Sequence, residues 1–391
     1  MRSRNPLLLA ALVVAAALPS SALAADGTIA FHQKTFDDSS SDLWLAAADG
    51  STGGVRLTGP QSPPDPSACF EACGAEAPDW LPDGSRLYFD SSWTPFVHIW
   101  SMRPDGTDAR QETFSVGFDG FQSVSADGSM IAYEYSDVDD PSLNGIYLAP
   151  STGGGEPVQL THVPKRGFDT NPDFSPDGTK VVFQRLEFNV CDPRPCGGRG
   201  DTGYTSSIWV VGTDGSGLHR IVSGGRLWSD SHYSPDGSRI LIQAYDEGRG
   251  RSRGTKSNEY TVRPDGSGMR QLTSGKSEVS FSGDWSPDGS KIAFVHYQFG
   301  DDHLQIRTMD ADGSNPETVA ECDPELFCDF PSWGAYDGPL PAATAARART
   351  RVSASAAARR ATRARRLRRA IRRELRGRSR GASSTAPRRG L

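Results

Sequence analysis

The chain has 391 residues, of which 36% are hydrophobic and 23% charged, and its formal net charge at pH 7 is −6. This modest charge combines an acidic body with a basic end. Residues 342–391 contain 17 Arg and one Glu, and Arg2 and Arg4 add two more positive charges, which leaves about −24 for residues 25–341. Beyond residue 24 no stretch is apolar enough to span a bilayer, which excludes a multi-span membrane protein.

The first segment, Met1 to Ala24, has the features of a secretory signal peptide. Arg2 and Arg4 precede an apolar run from Leu7 to Leu18, and the segment ends in an Ala-x-Ala cleavage pattern. The apolar run is short for a membrane span, so an uncleaved anchor is the less favoured alternative. We therefore expect cleavage near Ala24 and a secreted, periplasmic or cell-envelope location.

The body repeats one short pattern, in which a strand ends in an aromatic or aliphatic residue, a tight turn follows, and a second strand leaves it. Proline presets the first corner of the turn, Asp tolerates the second, and Gly accepts the positive φ that a twisted hairpin needs. The five copies are Pro78–Phe89, Gln122–Tyr133, Asn171–Phe183, Ser231–Ile242 and Gly283–Phe294.

A second hairpin, with an Asp-Gly or Gly-Gly turn, lies between these copies. The turn aspartates of the first hairpin are 44, 50, 59 and 52 residues apart, a period close to that of a four-stranded propeller blade. The six copies of the second hairpin are Asp42–Thr58, His98–Thr113, Gly145–Thr161, Ser207–Val222, Asn258–Thr273 and Gln305–Ala320.

Six copies of one hairpin and five of the other predict a split blade. Phe330 to Gly334 supplies an inner strand, and Asp26 to Phe31 supplies its partner from the other end of the chain. The predicted fold is therefore all-β, a six-bladed propeller of four-stranded antiparallel blades over residues 25–341, closed by its two ends.

These repeats, from Asp26 to Gly334, resemble the TolB-type six-bladed propellers with WD-like Pro-Asp-Gly repeats. The resemblance implies a binding scaffold. TolB itself carries an α/β domain before its propeller, and we expect none here, so the role of TolB in an envelope complex is not carried over with the fold.

The six cysteines form three close pairs in sequence and fit an oxidising compartment. Sequence alone allows 15 pairings, and local disulfides are the simplest. A zinc site is the alternative, although no Cys-x-x-Cys spacing with nearby histidines supports it. The expected pairs are Cys69–Cys73, Cys191–Cys196 and Cys322–Cys328.

The predicted topology puts the short turns at one end of the propeller and the long loops, with all six cysteines, at the other. The long-loop face carries acidic clusters and aromatic side chains suited to a protein or glycan partner. The alternative is that these aromatics pack beneath their own loops. The expected binding residues are Trp93, Phe96, Tyr135, Tyr204, Tyr245 and Tyr297.

One position of the inner strands, immediately before the repeat aromatic, carries Asp79, Ser123, Asp173, His232, Asp284 and Ser332. If these side chains face the channel, Asp79, Asp173, His232 and Asp284 form a ring suited to a hard cation such as Ca²⁺. The alternative, which we favour, is that each Asp caps backbone N–H groups within its own blade.

The basic end, Ala342 to Leu391, is predicted to be largely disordered. Leu367, Ile371 and Leu375 are spaced for one face of a helix within Arg359–Arg376. We expect the tail to contact an anionic envelope polymer or a lipid surface. Folding back onto the acidic body, and having no role, are the alternatives.

The combined features predict a monomeric, non-enzymatic binding protein without a cofactor. Its expected partner is an envelope or extracellular protein or a glycan, and no specific nucleic-acid partner is expected. One alternative is a propeller enzyme, such as a metal-assisted carbohydrate lyase or hydrolase, working at the channel mouth. The other is a structural cell-surface protein anchored by its tail. The candidate bases for the enzyme are His32, His98, His162, His232, His296 and His303.

Overall fold

The computed structural model describes residues 27–37, 39–59, 62–63, 74–163, 167–188, 204–224, 226–246 and 256–341. The predicted signal peptide, the basic tail and four of the six cysteines lie outside the described residues, as do the exact limits of the predicted domains. No helix within these ranges is long and apolar enough to cross a membrane.

Within the described residues, twenty-four strands form six four-stranded antiparallel sheets, which confirms the predicted all-β fold. Blade 1 consists of β24, β1, β2 and β3, and blades 2 to 6 each take the next four strands in order, from β4–β7 to β20–β23. The strands are β1 Thr28–Thr35, β2 Ser41–Ala47, β3 Val55–Arg56, β4 Ala75–Trp80, β5 Leu87–Ser91, β6 His98–Met102, β7 Arg110–Gln111, β8 Phe118–Val124, β9 Met130–Ser136, β10 Gly145–Pro150, β11 Val158–Gln159, β12 Gly167–Phe174, β13 Lys180–Phe188, β14 Tyr204–Gly212, β15 His219–Ser223, β16 Leu227–Tyr233, β17 Ile240–Asp246, β18 Lys256–Val262, β19 Arg270–Gln271, β20 Glu278–Trp285, β21 Lys291–Gln298, β22 Gln305–Asp310, β23 Glu317–Glu321 and β24 Leu326–Gly334.

The two ends of the propeller meet in blade 1, as predicted. Strand β1 pairs with β2 on one side and with β24 on the other, so that Ile29 lies opposite Trp333 and Ala30 opposite Ser332. Pairing the chain ends removes the free sheet edges that an open ring would expose.

The Pro-Asp-Gly turns have the predicted geometry. In the turn after β12, the N–H of Gly178 donates to the carbonyl of Ser175 (2.8 Å), and Gly178 has φ of 67°. Oδ1 of Asp177 accepts from the N–H of Thr179 (3.0 Å) and the hydroxyl of Ser175 (2.6 Å). The turn is therefore fixed by local chemistry, which is why the sequence identifies it.

Apolar clusters fill the spaces between neighbouring blades. One buries Phe281, Val295 and Phe327 between blades 6 and 1, and another buries Trp80, Phe89 and other side chains between blades 1 and 2. We call the end with the short turns the turn face and the opposite end the loop face. Because each blade packs on two others, the ring is a rigid support for the loop face.

Candidate functional site

The channel ring consists of Asp79, Ser123, Asp173, His232, Asp284 and Ser332, one residue from each inner strand. Three of its carboxylates reach into the next blade, where they accept backbone N–H groups. These bonds are Asp79 to Val124 (2.8 Å), Asp173 to Tyr233 (2.7 Å) and Asp284 to Trp333 (2.8 Å).

Side chains complete the channel ring between the remaining blades. The hydroxyl of Ser123 donates to Asp173 (2.9 Å), and that of Ser332 donates to Asp79 (3.3 Å). Nδ1 of His232 lies 3.8 Å from Asp284. Asp79 and Asp284 cap the N–H groups of Trp80 (3.0 Å) and Trp285 (2.8 Å) in their own blades, as the favoured alternative predicts, whereas Asp173 caps none among the described residues of its own blade. All three aspartates also cap an N–H group of the next blade, so the ring ties the blades together.

Burial and mutual repulsion shift the pKa values in this ring. Burial, with the Asp284 carboxylate as the next cause, raises the pKa of Asp79 to about 7. Burial also raises the pKa of Asp173 to about 6. Burial alone would lower the pKa of His232, but the carboxylates of Asp284 and Asp173 outweigh it and raise that pKa. At neutral pH the ring therefore carries less negative charge than three fully ionised carboxylates.

The predicted channel cation gains no support from this geometry. Within the ranges that the structure describes, no group of three His, Cys, Asp or Glu side chains is arranged to hold a metal ion. The ring carboxylates point their oxygens at N–H and O–H donors instead. Ca²⁺ binding by Asp79, Asp173, His232 and Asp284 stays a prediction.

A second layer of the channel, which the sequence did not reveal, is a ring of β-bulges. Each inner strand carries one extra residue three positions before its repeat aromatic, and the residue there adopts a positive φ between 44° and 55° although none is glycine. These six bulge residues are Ala77, Phe121, Asn171, Asp230, Ser282 and Phe330. Residues other than glycine rarely adopt this backbone conformation, so the surrounding structure must enforce it.

The second strands of the blades hold these bulges in place. The N–H of Ala77 donates to Nδ1 of His32 (3.3 Å), and that of Phe121 donates to Oδ2 of Asp90 (3.2 Å). The N–H of Ser282 donates to Oε1 of Gln243 (3.1 Å). In each case the acceptor belongs to the preceding blade, so the bulges add a second layer of bonds between blades.

Buried carboxylates accompany this layer. Burial, reinforced by Glu76, raises the pKa of Asp90 to about 7. Burial also raises the pKa of Glu134, which is 1% exposed, to about 8, although a hydrogen bond from Thr170 opposes the rise. Both side chains lie inside the ring, where they serve the packing of the blades.

The six histidines that were candidate bases lie on different blades and connections. His98 is buried against Asp119 (3.0 Å), and Nδ1 and Nε2 of His303 lie 3.2 Å from Asp302 and Glu321. His296 lies 3.9 Å from Glu278, while His32 and His232 belong to the two channel layers and the carbonyl of His162 accepts from Arg185 (3.5 Å).

The predicted binding aromatics require a correction, because five of the six are buried. Trp93, Tyr135, Tyr204, Tyr245 and Tyr297 are 8% exposed or less. Trp93 packs edge-on against Phe89 and Trp100, and Tyr135 packs against Tyr147. Only Phe96, at 43% exposure, lies on the surface. The other five pack beneath their own loops, as the alternative interpretation had it, because burying a large ring stabilises a long loop.

Exposed apolar side chains gather elsewhere on the loop face, on blades 2 and 3. We call this set the blade 2–3 patch: Phe96, Phe114, Val116, Val138 and Leu143, which are 39% to 79% exposed. Three segments supply it, residues 95–98, 114–117 and 137–144, and two contacts show that they adjoin. The N–H of Asp119 donates to the carbonyl of Val97 (3.0 Å), and a methyl group at Gly117 would meet the carbonyl oxygen of Ser136 at 2.5 Å.

The loop between β9 and β10 presents part of this patch in a fixed shape. Oδ1 of Asp137 accepts from the N–H groups of Asp139 (2.7 Å) and Asp140 (3.0 Å). Asp140 caps the 3-10 turn Pro141–Leu143, and Oδ1 of Asn144 accepts from the N–H of Asp137 (2.7 Å). Val138, at 79% exposure, is thereby held outward between carboxylates.

At the loop face, Cys322 immediately follows β23 and Cys328 lies near the start of β24. The structure pairs them, with Cα atoms 6.2 Å apart, within the range that a disulfide bridges. The pairs Cys69–Cys73 and Cys191–Cys196 lie outside the described residues.

The fold and its channel define the class of protein: a closed six-bladed β-propeller with one plain face and one elaborated face. No known family model matches the chain. An uncharacterized protein of Agrobacterium fabrum is 28% identical over 255 residues, which covers 62% of this chain and 75% of that protein. The Tol-Pal system protein TolB of Bordetella pertussis is 31% identical over 109 residues, 27% of this chain and 23% of that protein.

Solved structures support the same class. TolB from Acinetobacter baumannii superimposes with a TM-score of 0.56 at 16% identity, covering 79% of this chain and 66% of that one. A putative TolB from Agrobacterium tumefaciens gives 0.50 at 20% identity, covering 78% and 97%. The chain is a TolB-like six-bladed β-propeller. At these identities the likeness shows the fold alone.

Proposed function

We propose that the protein is an exported, non-enzymatic scaffold that binds a partner protein on the loop face of its propeller. The observation that carries this proposal is the blade 2–3 patch, where five exposed apolar side chains stand on adjoining segments of neighbouring blades. Soluble proteins rarely leave large apolar groups together in water unless the surface binds something.

The charges around the patch indicate what kind of partner fits. Asp137, Asp139 and Asp140 flank Val138, and backbone N–H groups, first that of Asp140, lower the pKa of Asp137. A surface with apolar anchors and ionised carboxylates suits a protein segment with apolar side chains flanked by Lys or Arg.

The channel supports binding in preference to catalysis. Its carboxylates with raised pKa values hold backbone N–H groups of neighbouring blades, as Asp79 holds Val124 and Asp90 holds Phe121. These groups stiffen the scaffold, and a stiff scaffold lowers the entropic cost of presenting the loop-face patch to a partner.

The basic tail fits the same proposal as a tether. The described chain ends at the turn face, where the ring of Tyr336 stacks on Trp80 (6.0 Å between centroids). A tail bound to an anionic envelope polymer or lipid would therefore leave the loop face free. Co-sedimentation with anionic vesicles or cell-wall material should be salt-sensitive and should disappear when residues 342–391 are removed. Equal sedimentation of the two forms would contradict the tether.

The experiment for the main proposal compares two variants of the mature protein. The patch variant carries Phe114→Ser, Val116→Ser and Val138→Ser. The control variant carries Leu218→Ser and Met269→Ser, which are each 44% exposed on the turn face. Immobilised proteins are incubated with envelope extract, and bound proteins are quantified by mass spectrometry.

We expect the wild type and the control to retain the same partner in similar amounts. The patch variant should bind it roughly tenfold more weakly, a loss of about 1.4 kcal/mol in binding free energy. Thermal unfolding should be unchanged in both variants, since all five side chains are exposed. Equal recovery of the partner by the patch variant would overturn the proposal.

A further inference from the structure

A cavity of about 400 Å³ opens on blade 5, across the ring from blade 2. The loop-face ends of the strands of this blade form its wall. Arg226 immediately precedes β16, Lys256 begins β18, Gln271 ends β19, and Lys276 lies in the connection to blade 6. The volume is in the range of small-molecule sites.

The wall of this cavity is cationic, although the body of the protein carries about −24. Among the side chains that the structure describes, which do not include that of Asp246 opposite Lys256, no carboxylate lies within 4.0 Å of the charged nitrogens of Arg226, Lys256 or Lys276. The carboxylate of Glu278 lies beside Gly275 and 3.9 Å from His296. Three cations around one cavity repel each other unless an anion joins them.

One of these cations is already fixed in position. The guanidinium of Arg226 lies 5.2 Å from the centre of the Tyr260 ring and donates to the Tyr260 hydroxyl. Tyr260 is 5% exposed and packs edge-on against Trp228 at 5.7 Å. Because this arginine is held before any ligand arrives, binding loses less side-chain entropy.

Neutral polar groups complete the wall. Oδ1 of Asn258 accepts from the hydroxyl of Thr273 (3.5 Å), so its amide N–H groups remain as donors. Nε2 of Gln271 donates to the carbonyl of Thr273 (2.7 Å), so its Oε1 remains as an acceptor. Amide donors and acceptors next to cations match a ligand that combines hydroxyl groups with negative charge.

We propose that the blade 5 cavity binds an anionic sugar unit, one that carries a phosphate or a carboxylate group. Arg226, Lys256 and Lys276 take the anion, and Asn258 and Gln271 take the hydroxyl groups. This site is independent of the blade 2–3 patch, so either proposal stands or fails without the other.

The test is isothermal titration of the mature protein at low and high salt. The probes are glucose 6-phosphate and glucuronate, with neutral glucose and inorganic phosphate as comparators. We expect at least one anionic sugar to bind, with affinity that falls as salt rises, and neutral glucose not to bind. The two anionic probes distinguish phosphate from carboxylate recognition.

Variants locate the site. Lys276→Gln, and Arg226→Gln with Lys276→Gln, should weaken binding of the anionic sugar about tenfold or more. The control, Arg263→Gln with Arg270→Gln, removes two exposed cations from the turn-face side of the same blade and should bind as the wild type does. Because Lys276 is exposed, its single substitution keeps the fold intact.

Three results would overturn the proposal. The first is that neither anionic sugar binds, and the second is that the variants bind it as tightly as the wild type does. The third is that inorganic phosphate binds as tightly as glucose 6-phosphate, which would mean that contacts with the sugar hydroxyl groups add no affinity.

Discussion

The carboxylate of Asp284 in blade 6 accepts a hydrogen bond from the backbone N–H of Trp333 in blade 1, at 2.8 Å. Trp333 lies on β24, the C-terminal strand that pairs with the N-terminal β1. This bond therefore joins the closing blade to the rest of the ring.

Asp284→Ala should lower the free energy of unfolding by about 1–3 kcal/mol, because it leaves buried N–H groups without an acceptor. Asp284→Asn keeps one acceptor oxygen and should therefore lower the free energy of unfolding by less. Urea unfolding of both variants measures the difference, with Glu156→Ala, at an exposed position, as the control. Equal stability of Asp284→Ala and the wild type would mean that this bond contributes nothing to closure.

The buried carboxylates predict how stability depends on pH. Burial raises the pKa of Glu134 from 4.5 to about 8 in the folded protein. The folded state thus binds this proton more tightly than the unfolded state does. Stability from this group is present below about pH 4.5 and is lost as pH rises towards 8. Asp79 and Asp90, both with pKa values raised to about 7, act in the same direction.

Glu134→Gln removes the titrating group, so the variant should lose less stability than the wild type between pH 5 and 8, by about 1–3 kcal/mol. Urea unfolding at pH 5, 6.5 and 8 measures this, with Glu156→Gln as the exposed control. Parallel pH profiles for Glu134→Gln and the wild type would contradict the assignment.

Gly27 offers a point test of ring closure. It has φ of 121°, and a Cβ there would clash with the carbonyl oxygen of Gly334 across the β1–β24 junction. Gly27→Val should therefore lower the unfolding midpoint markedly, because the chain ends must separate. Gly178→Val is the control, since Gly178 also has positive φ but meets no atom within 4 Å. Similar losses for the two would show that backbone strain alone is responsible.

The pair Cys322–Cys328 predicts a specific chemical result. Mass spectrometry of non-reduced peptides should recover these two cysteines linked, and Cys322→Ser with Cys328→Ser should cost about 2 kcal/mol of stability, given the short loop between them. Free thiols at both positions in protein purified from an oxidising compartment would refute the link.

The sequence predicts the hairpins and the closure well, because the turn chemistry is local: Asp177 and Gly178 fix their turn with their own neighbours. It does not predict the partners of the ring carboxylates, since Asp79 and Val124 meet only after the blades pack. The bulges were missed because their residues differ in type. Their constant spacing before the repeat aromatic, with Pro78, Pro172 and Pro331 following three of them, was a usable signal.

The surface was the least predictable part. Whether an aromatic such as Trp93 anchors a partner or supports its loop depends on burial, which composition does not report. Phe114 and Val116 stand in a short connection with no repeat pattern, and Arg226 and Lys276 are far apart in sequence. Only the stacking of strand ends in the folded ring brings such residues to one surface.

Hydrogen–deuterium exchange of the mature protein, alone and with its recovered partner, tests the central claim most directly. The account predicts slower exchange on binding in residues 95–98, 114–117 and 137–144, which carry the blade 2–3 patch, and unchanged exchange in the turns around Leu218 and Met269. Protection confined to the turn face, with none in these three segments, would contradict it.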